Sequence, residues 1–184
     1  MKLLFIILTV LQSLLAMLEQ KTLQTDFTLT TIDQQSQPIS YSGDLTMRGN
    51  QFALNMFGIE AAYDGNTLYM YSEDIDELSL STPTGEDLLQ SNPFLYAQVL
   101  LPVCQYAEKV IGDKTQITLT PNDQSAGIQK FVLRMTTATL LPTAIEIHET
   151  NGHLTSLRFT NAQYKDHKPT FTITKEGAFI NDLR

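Results

Sequence analysis

Between Gly43 and Phe94 apolar side chains fall on alternate positions, and turn residues cut the pattern at short intervals, which is the signature of short strands laid down one after another. Gly43 to Arg48 and Phe52 to Phe57 read as two strands joined at Gly49 and Asn50, and Asp64-Gly65 starts another reversal before Thr67 to Tyr71. Successive side chains of a strand point to opposite faces, so Gly43, Leu45 and Met47 share one face, as do Phe52, Leu54 and Met56, and Phe27 and Leu29 in an earlier strand that begins near Asp26. Further strands are predicted at Ala61 to Asp64, Glu77 to Thr82, Thr115 to Thr120, Ile128 to Met135, Ala144 to Glu149, Leu154 to Asn161, Thr170 to Thr174 and Ala178 to Ile180. Asn151-Gly152 marks the clearest hairpin of the second half. Strands joined by such short turns pair antiparallel, and a meander of this length curls into a barrel or a deep half-barrel.

Helical signals interrupt the meander once. Thr84 followed by Asp87 resembles a capping box for a short turn through Leu89, and Asn92 is placed to cap a helix opened by Pro93 and running to about Tyr106. Phe94, Leu95, Tyr96, Ala97, Val99, Leu100 and Leu101 leave that helix almost no polar face, so it belongs against the sheet as a plug or lid. Pro102 should kink or end it.

With 184 residues the chain suits a single domain, and no linker divides it. Its formal net charge of -8 argues against a nucleic-acid partner, which needs a basic face, and 42% hydrophobic residues argue against disorder. Met1-Lys2 and the run LLFIILTVLQSLLA have the order of a secretory signal and are too short for a spanning helix of ~20 residues. Leu14 and Ala16 form a poor cleavage pair, so two readings stand for residues 1–17, a removable signal or a retained apolar helix that anchors the protein or packs into its core. Residues 18–184 form the domain proper. No cysteine ends the apolar run, which excludes lipid attachment there, and the lone Cys104 forms no internal disulfide.

Catalysis finds little support. His148, His153 and His167 have no metal-ligand spacing, no nucleophile elbow or phosphate-binding loop occurs, and nothing basic in sequence activates Cys104. The acidic run Glu73, Asp74, Asp76 and Glu77 reads as a solvated turn, without calcium-loop spacing. We therefore expect no catalytic residue, metal or cofactor. The chain does have a surplus of soft apolar side chains, among them Met47, Met56, Met70 and Met135 with Phe52, Phe57, Tyr69 and Phe131. These would wall a ligand cavity or simply pack beneath the lid, since core and cavity linings look alike in sequence.

Taken in order, LQTDF from Leu23, GDLTMRGNQF, YDGNTLYMY, the NPF helix and the closing FTITKEGAFINDLR resemble the bacterial outer-membrane lipoprotein carrier family of the LolA type over nearly the whole chain. The resemblance implies a mainly β, α+β fold, an unclosed antiparallel half-barrel with a helical lid over an apolar concave face. It implies a monomeric periplasmic chaperone that takes acylated lipoproteins from an inner-membrane release complex and hands them to an outer-membrane acceptor. Arg48 matches the basic residue with which the family latches its lid, and Leu45, Met47, Phe52, Leu54, Met56, Leu68, Met70, Phe94, Ala97, Leu101, Phe131 and Leu133 would line cavity and lid. Arg-Gly-Asn stands where the better-known branch has Arg-Pro, and the first helix is short unless the apolar leader supplies it. The alternative is a non-transporting lipid-binding or sensor module of the same half-barrel, with a lipid hydrolase a distant third.

Overall fold

A computed structural model describes residues 9–33, 37–123 and 127–184. After helix α1 (Val10–Gln20), six strands follow as a meander: β1 (Thr22–Ile32), β2 (Ile39–Arg48), β3 (Gln51–Met56), β4 (Ile59–Tyr63), β5 (Leu68–Ser72) and β6 (Glu77–Ser81). Helices α2 (Gly85–Ser91) and α3 (Pro93–Leu100) carry the chain to a second meander. That meander runs through β7 (Cys104–Ile111), β8 (Lys114–Pro121), β9 (Ile128–Thr136), β10 (Pro142–Glu149) and β11 (Leu154–Lys165), and β12 (Phe179–Asp182) ends the fold.

Among the described residues all twelve strands join one sheet in the order β12-β6-β5-β4-β3-β2-β1-β11-β10-β9-β8-β7. The two meanders meet where β11 pairs antiparallel with β1, Phe159 opposite Phe27. β7 and β12 lie at the two ends, so the sheet stays open. One position on its inner face has no room for a side chain. Gly43 sits between Phe27 of β1 and Met56 of β3. A Cβ there would strike the Asn55 carbonyl and lie 2.9 Å from the Phe27 ring, so the aromatic ring folds over the bare backbone. The hairpin from β2 to β3 turns through Gly49 and Asn50 with Gly49 at φ 58, the positive value that tight hairpin loops demand.

Three expectations change in the details. The apolar helix does not reach Tyr106: α3 stops at Leu100, a single 3₁₀ turn spans Leu101–Val103, and Cys104 already begins β7. Pro102 lacks the N–H that would continue the α-helical ladder, so the ladder ends there even though Leu101 keeps helical backbone at φ -50 and ψ -47. Residues 170 to 174 form no strand, and the final strand runs parallel to β6 rather than antiparallel. The intervening segment crosses the sheet on the outer face, where Lys175 meets Glu60 of β4 at 2.6 Å and lies over the Tyr71 ring of β5 at 4.4 Å.

The first helix begins inside the apolar run. Thr9 caps it, its side chain accepting from Gln12 N while the Gln12 side chain accepts from Thr9 N. Leu11, Leu14 and Leu18 are at most 2% exposed and belong to the main core. The helix is tied down by Gly49 N donating to Leu18 O at 2.8 Å, and a Cβ on Gly49 would stand 2.7 Å from the Glu19 carboxylate. Residues 1–17, read as a removable signal or a retained apolar helix, thus overlap a packed helix in their second half, while the first eight lie outside the described residues.

Candidate functional site

Period-two alternation delivers one side chain in two from each strand to the inner face, and α2 and α3 lie across part of that face. What they leave uncovered is an apolar trough of about 830 Å³. Phe27, Leu29 and Thr31 of β1 form its floor with Leu157 and Phe159 of β11. One wall is built by Leu45, Phe52, Leu54 and Met56 from β2 and β3, continued by Ile59, Ala61, Leu68 and Met70 from β4 and β5. Ile128 and Ile147 close the other side. The size falls within the range of about 300–1,000 Å³ usual for small-molecule sites. Ile59 and Met70 remain 37% and 46% exposed, so the trough opens to solvent past β4 and β5.

The lid is held at its hinge and at its buried face. Thr84 and Asp87 form the capping box of α2, and Asn92 Oδ1 accepts from both Phe94 N and Leu95 N at 3.1 Å, ending one helix and starting the next. Phe94, Ala97 and Leu100 turn inward, with the Phe94 ring stacked on Phe159 at 5.9 Å. Tyr96 meets Phe131 edge-on at 6.2 Å and also lines the trough beside Pro93, Leu89, Gln90 and Ser91. Burial, then the charge of Glu149, pushes the Tyr96 phenol above its ordinary value.

Of the side chains singled out from sequence, Leu45, Phe52, Leu54, Met56, Leu68 and Met70 line the trough. Met47, Phe94, Ala97, Phe131 and Leu133 instead belong to the buried core beneath the helices, and Leu101 packs on its margin. The division follows from the helices, because α1 lies against β1 and β2 and α3 against β8, filling that end of the inner face. Tyr69 alternates with Leu68 and Met70 and so faces outward, where its hydroxyl donates to Asp64 Oδ2, and Phe57 is 79% exposed in a turn. Alternation from Phe27 and Leu29, and from Ile145 to Ile147 and Leu157 to Phe159, carried a signal for several of the remaining lining positions. Glu86 and Glu149 carried none.

Arg48 follows Met47 and therefore points to the outer face. Its Nη1 donates to the Asp166 carbonyl at 3.1 Å, next to the Lys21 ion pair with the Asp166 carboxylate at 2.9 Å. These bonds tie the end of β2 and the junction of α1 with β1 to the segment after β11, not to α2 or α3. The histidines serve the outer surface and one hairpin: His148 pairs with Glu146 and His153 with Glu149. Burial pushes the half-buried Cys104 thiol up, away from thiolate character. Among the described residues no helix is long and apolar enough to cross a membrane.

Residues 19–174 match the model of the family described as "Outer membrane lipoprotein carrier protein LolA". No curated protein matches the chain. Among solved structures, an uncharacterized conserved protein from Thermus thermophilus is similar with a TM-score of 0.62 at 9% identity, covering 95% of this chain and 99% of that one. A chain of the MucA/MucB complex of Pseudomonas aeruginosa is similar at 0.50 and 18% identity, over 84% of this chain and 56% of that one. A LolA superfamily protein from Nitrosomonas europaea scores 0.41 at 13% identity, over 87% and 96% of the two chains.

Proposed function

Since this chain belongs to the LolA outer membrane lipoprotein carrier family, we propose that its trough binds the acyl chains of lipoproteins and carries them through the periplasm toward the outer membrane. The observation that carries this reading is the open apolar trough of about 830 Å³. A fold with no ligand to hold has no reason to leave so much apolar wall unfilled, because each methylene kept from water is worth about 0.8 kcal/mol. An acyl chain regains that energy on entering, and the lid helices are placed to close over it. The role is binding rather than chemistry, with no cofactor.

The alternative is a half-barrel that senses a partner protein. The MucA/MucB complex, which contains a chain of similar fold, keeps it in view. A filled core would favour it, and the open trough favours a ligand. Native mass spectrometry of the protein purified from membrane extracts tests the difference, with acyl-bearing adducts and release of lipoprotein from inner-membrane vesicles expected. A protein that carries no lipid mass and releases nothing would sink the carrier reading.

A further inference from the structure

The polar part of the trough is one-signed. Among the described residues no lysine, arginine or histidine lines it, whereas two carboxylates do, Glu86 on α2 and Glu149 at the end of β10. Glu149 is held in place: its Oε1 contacts His153 Nδ1 and its Oε2 accepts from Asn151 Nδ2, both at 3.0 Å. Its charge is felt inside the trough, since it contributes to the raised value of the Tyr96 phenol. Glu86 is exposed on the lid, where it lines the mouth of the trough. A solvated rim carboxylate alone has little consequence. Beside a low-dielectric apolar wall that no described lysine or arginine lines, two of them set a local negative potential, which His153 beside Glu149 offsets only when it is protonated.

We propose that Glu86 and Glu149 make the trough selective for head group, admitting acyl chains whose polar end is uncharged or cationic and rejecting free fatty acids and anionic lipids. The inference rests on the acyl-binding reading and refines it. An anionic head drawn to the mouth by its buried chain would sit among like charges with no cationic side chain among the described residues to neutralise it, only neutral donors such as Gln90 and Tyr96, while an ester- or amide-linked chain brings no charge. Such selectivity keeps a carrier from filling with the anionic lipids of the membranes it visits.

The test uses three ligands with the same acyl chain, monopalmitoylglycerol, palmitoylcholine and palmitate, displacing a neutral fluorescent acyl probe at neutral pH and low salt. Palmitate is expected to bind at least about tenfold more weakly than monopalmitoylglycerol, and palmitoylcholine no more weakly than it. The double variant E86Q/E149Q should bring palmitate to within about threefold of monopalmitoylglycerol measured on the same variant. Should the double variant not fold, the wild-type gap must narrow as salt screens charges beyond about 10 Å. Equal binding of palmitate and monopalmitoylglycerol, or a gap that ignores both salt and substitution, overturns the selectivity while leaving acyl binding intact. Failure of all three ligands to displace the probe overturns acyl binding itself.

Discussion

Gly43 and Arg48 sit on the same strand and show how differently a single residue acts on its two faces. Gly43 faces inward, where any side chain would meet the Asn55 carbonyl and the Phe27 ring. Gly43→Val should therefore destabilise the protein by about 1–3 kcal/mol, as overpacking does. Because Phe27 would be pushed into the trough, ligand affinity should fall as well, and denaturant unfolding with probe titration measures both. Wild-type affinity in a folded variant would show that the ring's position does not shape the site. Arg48 faces outward, so replacing it removes an exposed bond to Asp166 worth no more than ~1 kcal/mol. The family resemblance implies a latch role, although its bond here goes to Asp166 and not to α2 or α3. On that role Arg48→Leu slows hand-over of lipoprotein to an acceptor far more than it lowers the melting temperature. Normal transfer with unchanged exchange in α2 and α3 would leave Arg48 as a surface tie only.

Among the elements, α1 has the most at stake. Removing residues 1–16, as cleavage of a leader there would, takes Leu11 and Leu14 out of the core and leaves Leu18 on a broken helix. Each buried leucine lost costs about 2–5 kcal/mol, so a chain beginning at Met17 should unfold at markedly lower denaturant concentration than one beginning before Thr9. Comparison of the two chains by urea unfolding measures it, and an intact mass of the exported protein reports which of them exists. Equal midpoints would show that the rest of the core closes without the helix. The helix α3 makes a different prediction, because Tyr96 and Pro93 touch the trough while Phe94 and Ala97 lie in the core. Amide exchange across α2 and α3 should slow when an acyl ligand binds. Strong protection that is identical with and without ligand would mean a fixed roof.

At the scale of the molecule, the open sheet needs polar ladders on its outer face as much as it needs the trough within. Arg134 of β9 donates to Gln116 of β8 at 2.9 Å and to Glu146 of β10 at 2.5 Å, and Glu146 also contacts His148 at 3.1 Å. The Arg134 guanidinium holds the Glu146 carboxyl below the ordinary glutamate value of 4.5, against the opposing effect of burial. A carboxyl depressed in the folded state contributes stability above its unfolded value, and that contribution is lost as pH falls through the folded value. Stability should therefore decline below about pH 4.5, and Glu146→Gln should flatten part of that decline in melting curves taken across the acid range. An identical pH profile in the variant would assign acid sensitivity elsewhere.

Local chemistry made most of the strands legible in the sequence. Side-chain period and turn residues act between near neighbours, so the Gly49-Asn50 and Asn151-Gly152 hairpins and the caps at Thr84 and Asn92 appear where the residues place them. The end of α3 was legible only in part, because Pro102 announces a break without saying that a strand follows. Which apolar residues line the trough and which are buried beneath the helices was decided by tertiary packing. Leu45 and Met47 are indistinguishable by alternation, yet α1 lies against β2 and Met47 is in the core while Leu45 faces the opening. The same holds for Glu149, an unremarkable strand end until the fold sets it on the lining of the apolar trough. Spacing alone was enough for most strands and for the caps of α2 and α3, but not for β7 or for residues 170 to 174. Only the tertiary structure decided what is cavity and what is core, because that depends on which element comes to lie over each face.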